Sequence, residues 1–147
     1  MKILVLNGPN LNMLGIREPE IYGKQTYQDL VDLISGWCKE NGVEAGFYQS
    51  NHEGALIDRI QEAYGKTDGI VFNPGGYTMT SIALLDALKA VGIPTVEVHI
   101  SDMAARESFR QHSYIAQACL SVISGRGFQG YIDAIQLLLD HQKQEKK

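Results

Sequence analysis

Short apolar segments alternate with longer segments of helical periodicity along nearly all of this 147-residue chain. The segments at 3–6 (ILVL), 69–72 (GIVF) and 94–100 (PTVEVHI) have the length and apolar composition of single buried strands. Between them, apolar residues recur three and four positions apart, as on one face of an amphipathic helix. Strands that alternate with helices pair in parallel through right-handed crossovers, so this pattern predicts an α/β protein whose sheet is covered on both faces.

The limits of the elements can be predicted from capping and turn residues. Thr26 caps a helix that Gly42 ends. The other predicted elements are strands at 43–49 and 120–123 and helices at 53–64, at 81–91 and through Leu139. The resulting five β-α units predict a flavodoxin-like three-layer αβα sandwich with a five-stranded parallel sheet. We expect a single catalytic domain at 1–142 and a disordered tail at 143–147.

Charge and composition narrow the classes of partner. The net charge is −4, and basic and acidic residues are interspersed rather than gathered into a basic stripe. This argues against a nucleic acid or a membrane surface as the partner and favours a small-molecule substrate. Cys38 and Cys119 lie in apolar patterns, which is typical of buried free thiols rather than of a disulfide. Because a signal segment and a run of about 20 apolar residues are both lacking, we expect a cytoplasmic protein.

The loops that follow the predicted strands carry the residues with the chemistry for a site. In a doubly wound sheet these loops meet at one crevice outside the carboxyl ends of the strands. The loop after the first strand is long, with about twenty residues before the next helix, as lids and binding loops often are. The residues collected in this way are Asn7, Asn10, Asn12, Arg17 and Tyr22 from the first loop, Asn73, Gly75 and Gly76 from the third, His99, Ile100 and Ser101 from the fourth, and Arg106 and Arg110 beyond it.

Two pairs in this collection are suited to proton transfer. A guanidinium near a phenol lowers the pKa of the phenol below its usual value of about 10, so Arg17 could make Tyr22 a usable base. Glu97 and His99 are two residues apart on a strand and project from the same face, where the carboxylate can orient the imidazole. An imidazole held in this way can serve as a general acid or base near neutral pH. The alternative is that His99 only satisfies a hydrogen bond in the core.

Several other kinds of site do not fit the sequence. The first loop lacks the G-x-G-x-x-G pattern of a dinucleotide site, and it has asparagines where a receiver domain needs acidic residues for a cation. The histidines outside the crevice show no metal-ligand spacing, so we expect neither a metal nor a cofactor. The remaining groups suit an elimination, in which a phenolate removes a proton next to a carbonyl and an imidazolium protonates a departing hydroxyl. Arg106 and Arg110 could bind a substrate carboxylate or could form a solvated basic face.

The same residues lie in motifs that strongly resemble those of the type II 3-dehydroquinate dehydratases. The motifs are LNGPNLNMLGIREPEIYG at 6–23, SNHEGALID at 50–58, NPGGYT at 73–78, VEVHISD at 96–102 and ARESFRQHSYIA at 105–116, in the order that the family shows. The resemblance implies anti elimination of water from 3-dehydroquinate, through an enolate, to give 3-dehydroshikimate without a cofactor or metal. It also implies a flavodoxin-like subunit in a homododecamer built as four trimers.

By position, the resemblance implies a role for each residue of a catalytic set. Tyr22 would be the base that removes the C2 proton, and Arg17 would hold it as tyrosinate. Asn10 would position a water molecule that stabilises the enolate. His99, oriented by Glu97, would protonate the C1 hydroxyl as it leaves.

The resemblance also implies a set of substrate-binding residues. Ile100 and Ser101 would bind the substrate carboxylate through backbone N–H groups, while Asn73 and Arg110 would contact ring hydroxyls. Gly75 and Met79 would also belong to the substrate-binding residues. Arg106 would lie in a lid that closes over the site, and Asp86 would reach into the site of a neighbouring subunit.

Two positions depart from the family pattern. Met79 stands where the family usually has a histidine, and Leu85 stands where an arginine is common. Met79 cannot hydrogen-bond a hydroxyl usefully, and an unmet buried polar partner costs about 1–3 kcal/mol. We therefore predict an affinity for substrate that is lowered by roughly ten- to a hundredfold, with the chemistry kept. Two alternatives stay open: a relative that acts on another cyclic hydroxy acid, and a binding or structural shell without turnover. Both aromatic biosynthesis through shikimate and quinate breakdown would use the same reaction.

Overall fold

One parallel sheet, in the strand order β2-β1-β3-β4-β5, organises the described part of the chain. The computed structural model describes residues 1–16 and 18–146, with the backbone alone at Tyr22. The strands are β1 (Lys2–Asn7), β2 (Glu44–Gln49), β3 (Gly69–Asn73), β4 (Thr95–His99) and β5 (Ser121–Ser124). Because β2 lies on one side of β1 and the later strands lie on the other, the strand order reverses beside β1. An open α/β sheet leaves a crevice at this switch point, outside the carboxyl ends of its strands.

Helices cover both faces of the sheet, and two of them begin directly after side-chain caps, at Thr26 and Ser81. The helices are α1 (Pro19–Tyr22), α2 (Tyr27–Glu40), α3 (Glu53–Ala63), α4 (Ile82–Val91) and α5 (Gln129–Glu145). Thr26 and Asp29 form a capping box, in which each side chain accepts a hydrogen bond from the backbone N–H of the other. Ser81 caps α4 by accepting a hydrogen bond from the backbone N–H of Leu84 at 2.9 Å.

Alternating side chains of strand β1 enter two separate hydrophobic cores. Ile3 and Val5 of β1 pack in the core on the side of α2 and α5, whereas Leu4 and Leu6 pack in the core on the side of α3 and α4. A strand that is apolar on both faces has to be covered on both faces, as the run ILVL indicates. The predicted fold class, a flavodoxin-like three-layer αβα sandwich with a five-stranded parallel sheet, is therefore confirmed.

The structure departs from the sequence prediction in three places, of which the first is the short helix α1 (Pro19–Tyr22) inside the segment predicted to be a loop. The connection from β4 to β5 has no α-helix and consists of 3₁₀ turns at Met103–Ala105, Ser108–Arg110 and Ile115–Ala118. The last helix does not end near Leu139, because α5 continues to Glu145. Residues 143–145 of the predicted disordered tail are consequently helical, since the polar residues after Leu139 keep good helix propensity without an apolar stripe. That residues 1–142 act as a single catalytic domain stays a prediction.

The cysteines are free thiols, as predicted. Burial raises the pKa of both, and at Cys119, where the charge of Glu97 adds to burial, the pKa rises to about 12. Within residues 1–16 and 18–146, no helix is long and apolar enough to cross a membrane.

Candidate active site

A pocket lies at the carboxyl ends of β1, β3 and β4, at the switch point of the sheet. It encloses about 180 Å³. A cavity of about 150 Å³ is enough to hold benzene, so the pocket has the size for a substrate built on one six-membered ring. The predicted site residues that line it are Asn10, Asn73, Gly75, Gly76, Met79, His99, Ile100, Ser101, Arg106 and Arg110.

The loops after β1 and β3 interlock and form one wall of the pocket. The backbone N–H of Gly8 donates to the carbonyl of Asn73 at 2.8 Å, and a Cβ at Gly8 would lie 2.5 Å from the carbonyl oxygen of Pro74. Gly75 has a φ of 59°, and a Cβ there would lie 2.9 Å from the carbonyl oxygen of Pro9. Only glycine permits this close approach with these dihedral angles. The two glycines therefore hold the loops in contact.

Asn10 is placed in the pocket by an uncommon backbone conformation. Its φ is 71°, in the left-handed region that asparagine tolerates better than most residues. Its backbone N–H donates to Oδ1 of Asn51 at 3.0 Å, and its carbonyl accepts from the backbone N–H of Met13 at 2.9 Å. The surrounding structure thus holds Asn10 through its main chain and leaves its amide side chain for a ligand or water.

Glu97 and His99 form a buried pair on β4, with 1% and 5% of their surface exposed. Nε2 of His99 lies 2.5 Å from Oε2 of Glu97, which confirms the hydrogen bond predicted from the two-residue spacing. The second carboxylate oxygen, Oε1, accepts a hydrogen bond of 2.7 Å from Oγ of Ser113. With Nε2 engaged, Nδ1 is the nitrogen of His99 that a ligand in the pocket can reach.

A second buried chain of hydrogen bonds supports Asn73. Nδ2 of Asn73 donates to the Tyr131 hydroxyl at 3.0 Å, and this hydroxyl donates to Oδ1 of Asn7 at 2.6 Å. Oδ1 of Asn73 accepts from the backbone N–H of Gly75 at 3.1 Å, so both ends of its amide are oriented. Burial raises the pKa of Tyr131, which therefore stays neutral and able to donate.

Two arginines, Arg106 and Arg110, bring positive charge to the pocket lining. Nη1 of Arg106 donates to Oγ of Ser101 at 3.0 Å. Nε of Arg110 donates to Oε2 of Glu107 at 2.6 Å, and this hydrogen bond holds the pKa of the Glu107 carboxyl below its ordinary value. The side chain of Arg106 is 10% exposed and that of Arg110 is 25% exposed. Arg110 lies on the 3₁₀ turn Ser108–Arg110 and Arg106 directly follows the turn Met103–Ala105, so neither lies on the helix that their four-residue spacing would suit. The pocket thus combines a positioned imidazole with groups that attract an anion.

Residues 1–139 match the family described as Dehydroquinase class II. The 3-dehydroquinate dehydratase of Corynebacterium glutamicum (strain R) is 57% identical over 142 residues, which cover 97% of this chain and 98% of the relative. The chain belongs to the class II dehydroquinase family. The crystal structure of the family's type II enzyme from Butyrivibrio crossotus DSM 2876 matches with a TM-score of 0.93 at 56% identity, covering 94% of this chain and 97% of that chain. A second crystal structure of a type II dehydroquinase, from Propionibacterium acnes, matches with a TM-score of 0.89 at 39% identity, covering 94% and 96%.

Membership of the family confirms the resemblance predicted from the motifs, and the prediction of an enzyme, a hydro-lyase, is confirmed with it. Five positions singled out from the sequence lie outside the pocket lining, among them Glu97, which reaches the pocket through His99. Asn7 is fully buried beneath it, and Asn12 accepts a hydrogen bond from Gln49 at 3.4 Å instead of facing the crevice. Asp86 is exposed on α4, and Leu85 is buried in the same helix. Arg17 and the side chain of Tyr22 lie outside the described residues.

Sequence reasoning missed several residues of the site region, including Pro9 and Leu11 of the pocket lining. Ser113 and Tyr131 orient pocket residues from behind, and Met103 lines the pocket together with Met79. Tyr131 lies 58 residues from Asn73, and no local pattern indicates such a contact. The motif at 105–116 contains Ser113 and was the only signal for it.

Candidate metal ligands are scattered. Among residues 1–16 and 18–146, no group of three or more His, Cys, Asp or Glu side chains is arranged to hold a metal ion. That the reaction needs neither metal nor cofactor stays a prediction.

Proposed function

We propose that this chain is a 3-dehydroquinate dehydratase, which removes water from 3-dehydroquinate by anti elimination through an enolate and forms 3-dehydroshikimate. The observation that carries the proposal is the buried Glu97–His99 pair, which opens into a ring-sized pocket in a member of this family. The named relatives with 50 to 57% identity are 3-dehydroquinate dehydratases, which supports the substrate.

The proposed reaction begins with removal of the C2 proton by the Tyr22 phenolate, which Arg17 stabilises. The electron pair of the broken C–H bond forms the enolate, whose oxygen accepts a hydrogen bond from a water molecule held by Asn10. The enolate then collapses and the C1 hydroxyl leaves as water after it takes a proton from His99. The proton that reached Tyr22 returns to His99 through solvent, which restores both groups for the next cycle.

The proposed substrate contacts use the rest of the pocket. The carboxylate binds the backbone N–H groups of Ile100 and Ser101 beside Arg106, which closes over the site. Asn73 and Arg110 contact the ring hydroxyls, with Gly75 in the same binding loop. The orientation of Asn73 by Tyr131 and Gly75 supports this assignment, because a fixed amide selects hydroxyls by position.

The assembly and setting of the enzyme are part of the same proposal. We infer a homododecamer of four trimers in which Asp86 reaches a neighbouring subunit's site. The exposed position of Asp86 on α4 is compatible with such a contact. A cytoplasmic location, and a role in either the shikimate pathway or quinate breakdown, complete the proposal.

One observation favours a second candidate substrate. Met79 lines the pocket where the family usually has a histidine, and Met103 adds a second thioether to the lining. A pocket with these two apolar side chains suits a cyclic hydroxy acid with one hydroxyl fewer. Leu85 does not bear on this choice, because it is buried outside the pocket.

A single assay tests the proposal and its alternatives. The purified protein is mixed with 3-dehydroquinate, and the enone absorbance of 3-dehydroshikimate is followed, with a panel of related cyclic hydroxy acids in parallel. We expect rapid product formation from 3-dehydroquinate. Turnover of another panel member alone would support the second candidate, and binding of 3-dehydroquinate without product would show a non-catalytic shell.

A further inference from the structure

The carboxylate of Glu97 is held at both of its oxygens. Oε2 meets Nε2 of His99 at 2.5 Å, and Oε1 accepts from Oγ of Ser113 at 2.7 Å. We propose that Ser113 is a positioning residue for the dehydration, because it fixes the plane of the Glu97 carboxylate and through it the ring of His99. The expected kinetic effects rest on the proposed function, whereas the role of Ser113 in orienting Glu97 and His99 does not depend on it.

The location of Glu97 explains why its carboxylate needs a second partner. Glu97 projects from β4 toward the face covered by α4 and the 3₁₀ turn Ile115–Ala118, while its neighbours Val96 and Val98 enter the opposite core. It is therefore a charge on the side of an apolar core that contains Ile115. A buried carboxylate with one free oxygen would be costly and could rotate, whereas one bonded at both oxygens is fixed.

The hydrogen of the Ser113 hydroxyl is directed by a further contact. The backbone N–H of Ala116 donates to Oγ of Ser113 at 3.0 Å, so this oxygen already serves as an acceptor. The hydroxyl hydrogen is then free to point at Oε1 of Glu97. The same serine thus bonds both to Ala116 of the 3₁₀ turn Ile115–Ala118 and to the carboxylate, which links that turn to the acid–base pair.

The other titratable group against Glu97 does not compete for this role. The Cys119 thiol interacts electrostatically with the Glu97 carboxylate. Burial, together with the charge of Glu97, raises the pKa of the Cys119 thiol to about 12. Cys119 donates its weak hydrogen bond to the carbonyl of Ile115 at 3.3 Å. The Ser113 hydroxyl is consequently the group that donates to the second oxygen of the Glu97 carboxylate.

The kinetic test compares Ser113→Ala with Ser113→Thr, which keeps the hydroxyl. For Ser113→Ala we expect kcat for 3-dehydroquinate to fall about tenfold with KM changed less than about twofold, since one hydrogen bond to a charged group is lost. Ser113→Thr should recover most of this loss. Ser108→Ala is the matched control, because Ser108 is exposed on the neighbouring turn and does not line the pocket. Equal kcat values for wild type and Ser113→Ala, or a threonine variant as slow as the alanine variant, would overturn the proposal.

A double-mutant cycle separates positioning from a general loss of packing. If Ser113 acts through Glu97, then adding Ser113→Ala to Glu97→Ala should lower kcat by less than about twofold. A full further tenfold loss in that background would show that Ser113 acts by another route. Thermal unfolding of each variant confirms that the compared proteins are folded.

A spectroscopic readout keeps the proposal testable even without turnover. The imidazole ¹H–¹⁵N resonances of His99 report its hydrogen bond to Glu97, and we expect Ser113→Ala to shift them and Ser113→Thr to restore them. Unchanged His99 resonances in Ser113→Ala would overturn the proposal. If Ser113→Ala shifts the His99 resonances but the wild-type protein does not dehydrate 3-dehydroquinate, the proposed function is refuted and the positioning role stands.

Discussion

On the strand-end side of the pocket, formed by Asn73, Glu97 and His99, each side chain is buried and hydrogen-bonded to another protein group. On the loop side, formed by Met79, Arg106 and Arg110, the side chains are partly exposed and lie on 3₁₀ turns or, for Arg106, directly after one. The first set has its orientation established before any ligand arrives. The two arginines of the second set are hydrogen-bonded as well, to Ser101 and to the exposed Glu107, but this set is less enclosed by the protein.

This difference suggests a division of labour. A group that transfers a proton in the transition state gains most from fixed geometry, whereas a group that recognises charge or hydroxyls can act from a less rigid position. Changes on the strand-end side should therefore appear mainly in kcat, and changes on the loop side mainly in KM. The predictions below test that separation, beginning with the largest expected effect.

The largest effect is expected for His99→Ala. Loss of the proposed general acid should lower kcat about a thousandfold, within the range of about 10²–10⁴ that such groups contribute. KM should change little, because the carboxylate and hydroxyl contacts remain. Steady-state kinetics with 3-dehydroquinate measure both constants. His112→Ala is the control, since His112 is exposed and outside the pocket, and a comparable loss there would contradict a specific role for His99.

A gain of roughly ten- to a hundredfold in affinity is expected for Met79→His on the loop side. The imidazole would satisfy a substrate hydroxyl that a thioether leaves unmet, which is worth about 1–3 kcal/mol. We expect a lower KM and a kcat within a factor of about three. Met79→Leu, which keeps an apolar side chain, should behave as wild type. An unchanged or higher KM in the histidine variant would refute this explanation of the pocket.

A rise of about tenfold in KM is expected for Arg110→Ala, because one charge-assisted hydrogen bond to the substrate is removed. The value of kcat should stay within a factor of about three. Arg126→Ala serves as the control, since Arg126 pairs with Asp133 on the surface outside the pocket. If Arg110→Ala instead lowered kcat with KM unchanged, the loop side would share in the chemistry.

The smallest effect is expected for stability at alkaline pH. Burial and the charge of Glu97 raise the pKa of Cys119 from 9.0 to about 12, so the folded state keeps a proton that the unfolded state releases. The stabilisation is complete below pH 9 and is lost as the pH rises toward 12. Urea unfolding between pH 7 and 11 should therefore show a shallower decline for Cys119→Ala than for wild type. Identical slopes would show that the thiol does not titrate in this way.

The regular elements could be predicted from the sequence because local signals agree with tertiary structure there. The Thr26–Asp29 box and the cap at Ser81 placed the starts of α2 and α4, and the alternation around Val96 and Val98 placed Glu97 and His99 on one face. The end of α5 was less clear, because the polar residues after Leu139 carry no periodic apolar signal.

The irregular part of the site could not be predicted, since its contacts join distant segments. Ser113 lies 16 residues from Glu97 in a connection of 3₁₀ turns, which have no hydrophobic period that reveals their direction. Asn7 was predicted to face the crevice because it ends a strand, yet it is buried and accepts from Tyr131, which lies 124 residues away. A position at a strand end therefore predicts that a residue lies near the site. Whether its side chain lines the pocket depends on the helices and loops that pack against the strand.

The most direct test of the division of labour is single-turnover product formation with saturating enzyme. Wild type, Arg110→Ala and His99→Ala are each mixed in molar excess over 3-dehydroquinate, at an enzyme concentration well above the KM of that variant, and the enone absorbance is followed. We predict that Arg110→Ala forms product within about threefold of the wild-type rate and that His99→Ala is slower by about a thousandfold. Equal losses in the two variants would contradict the assignment of chemistry to the strand ends and of binding to the loops.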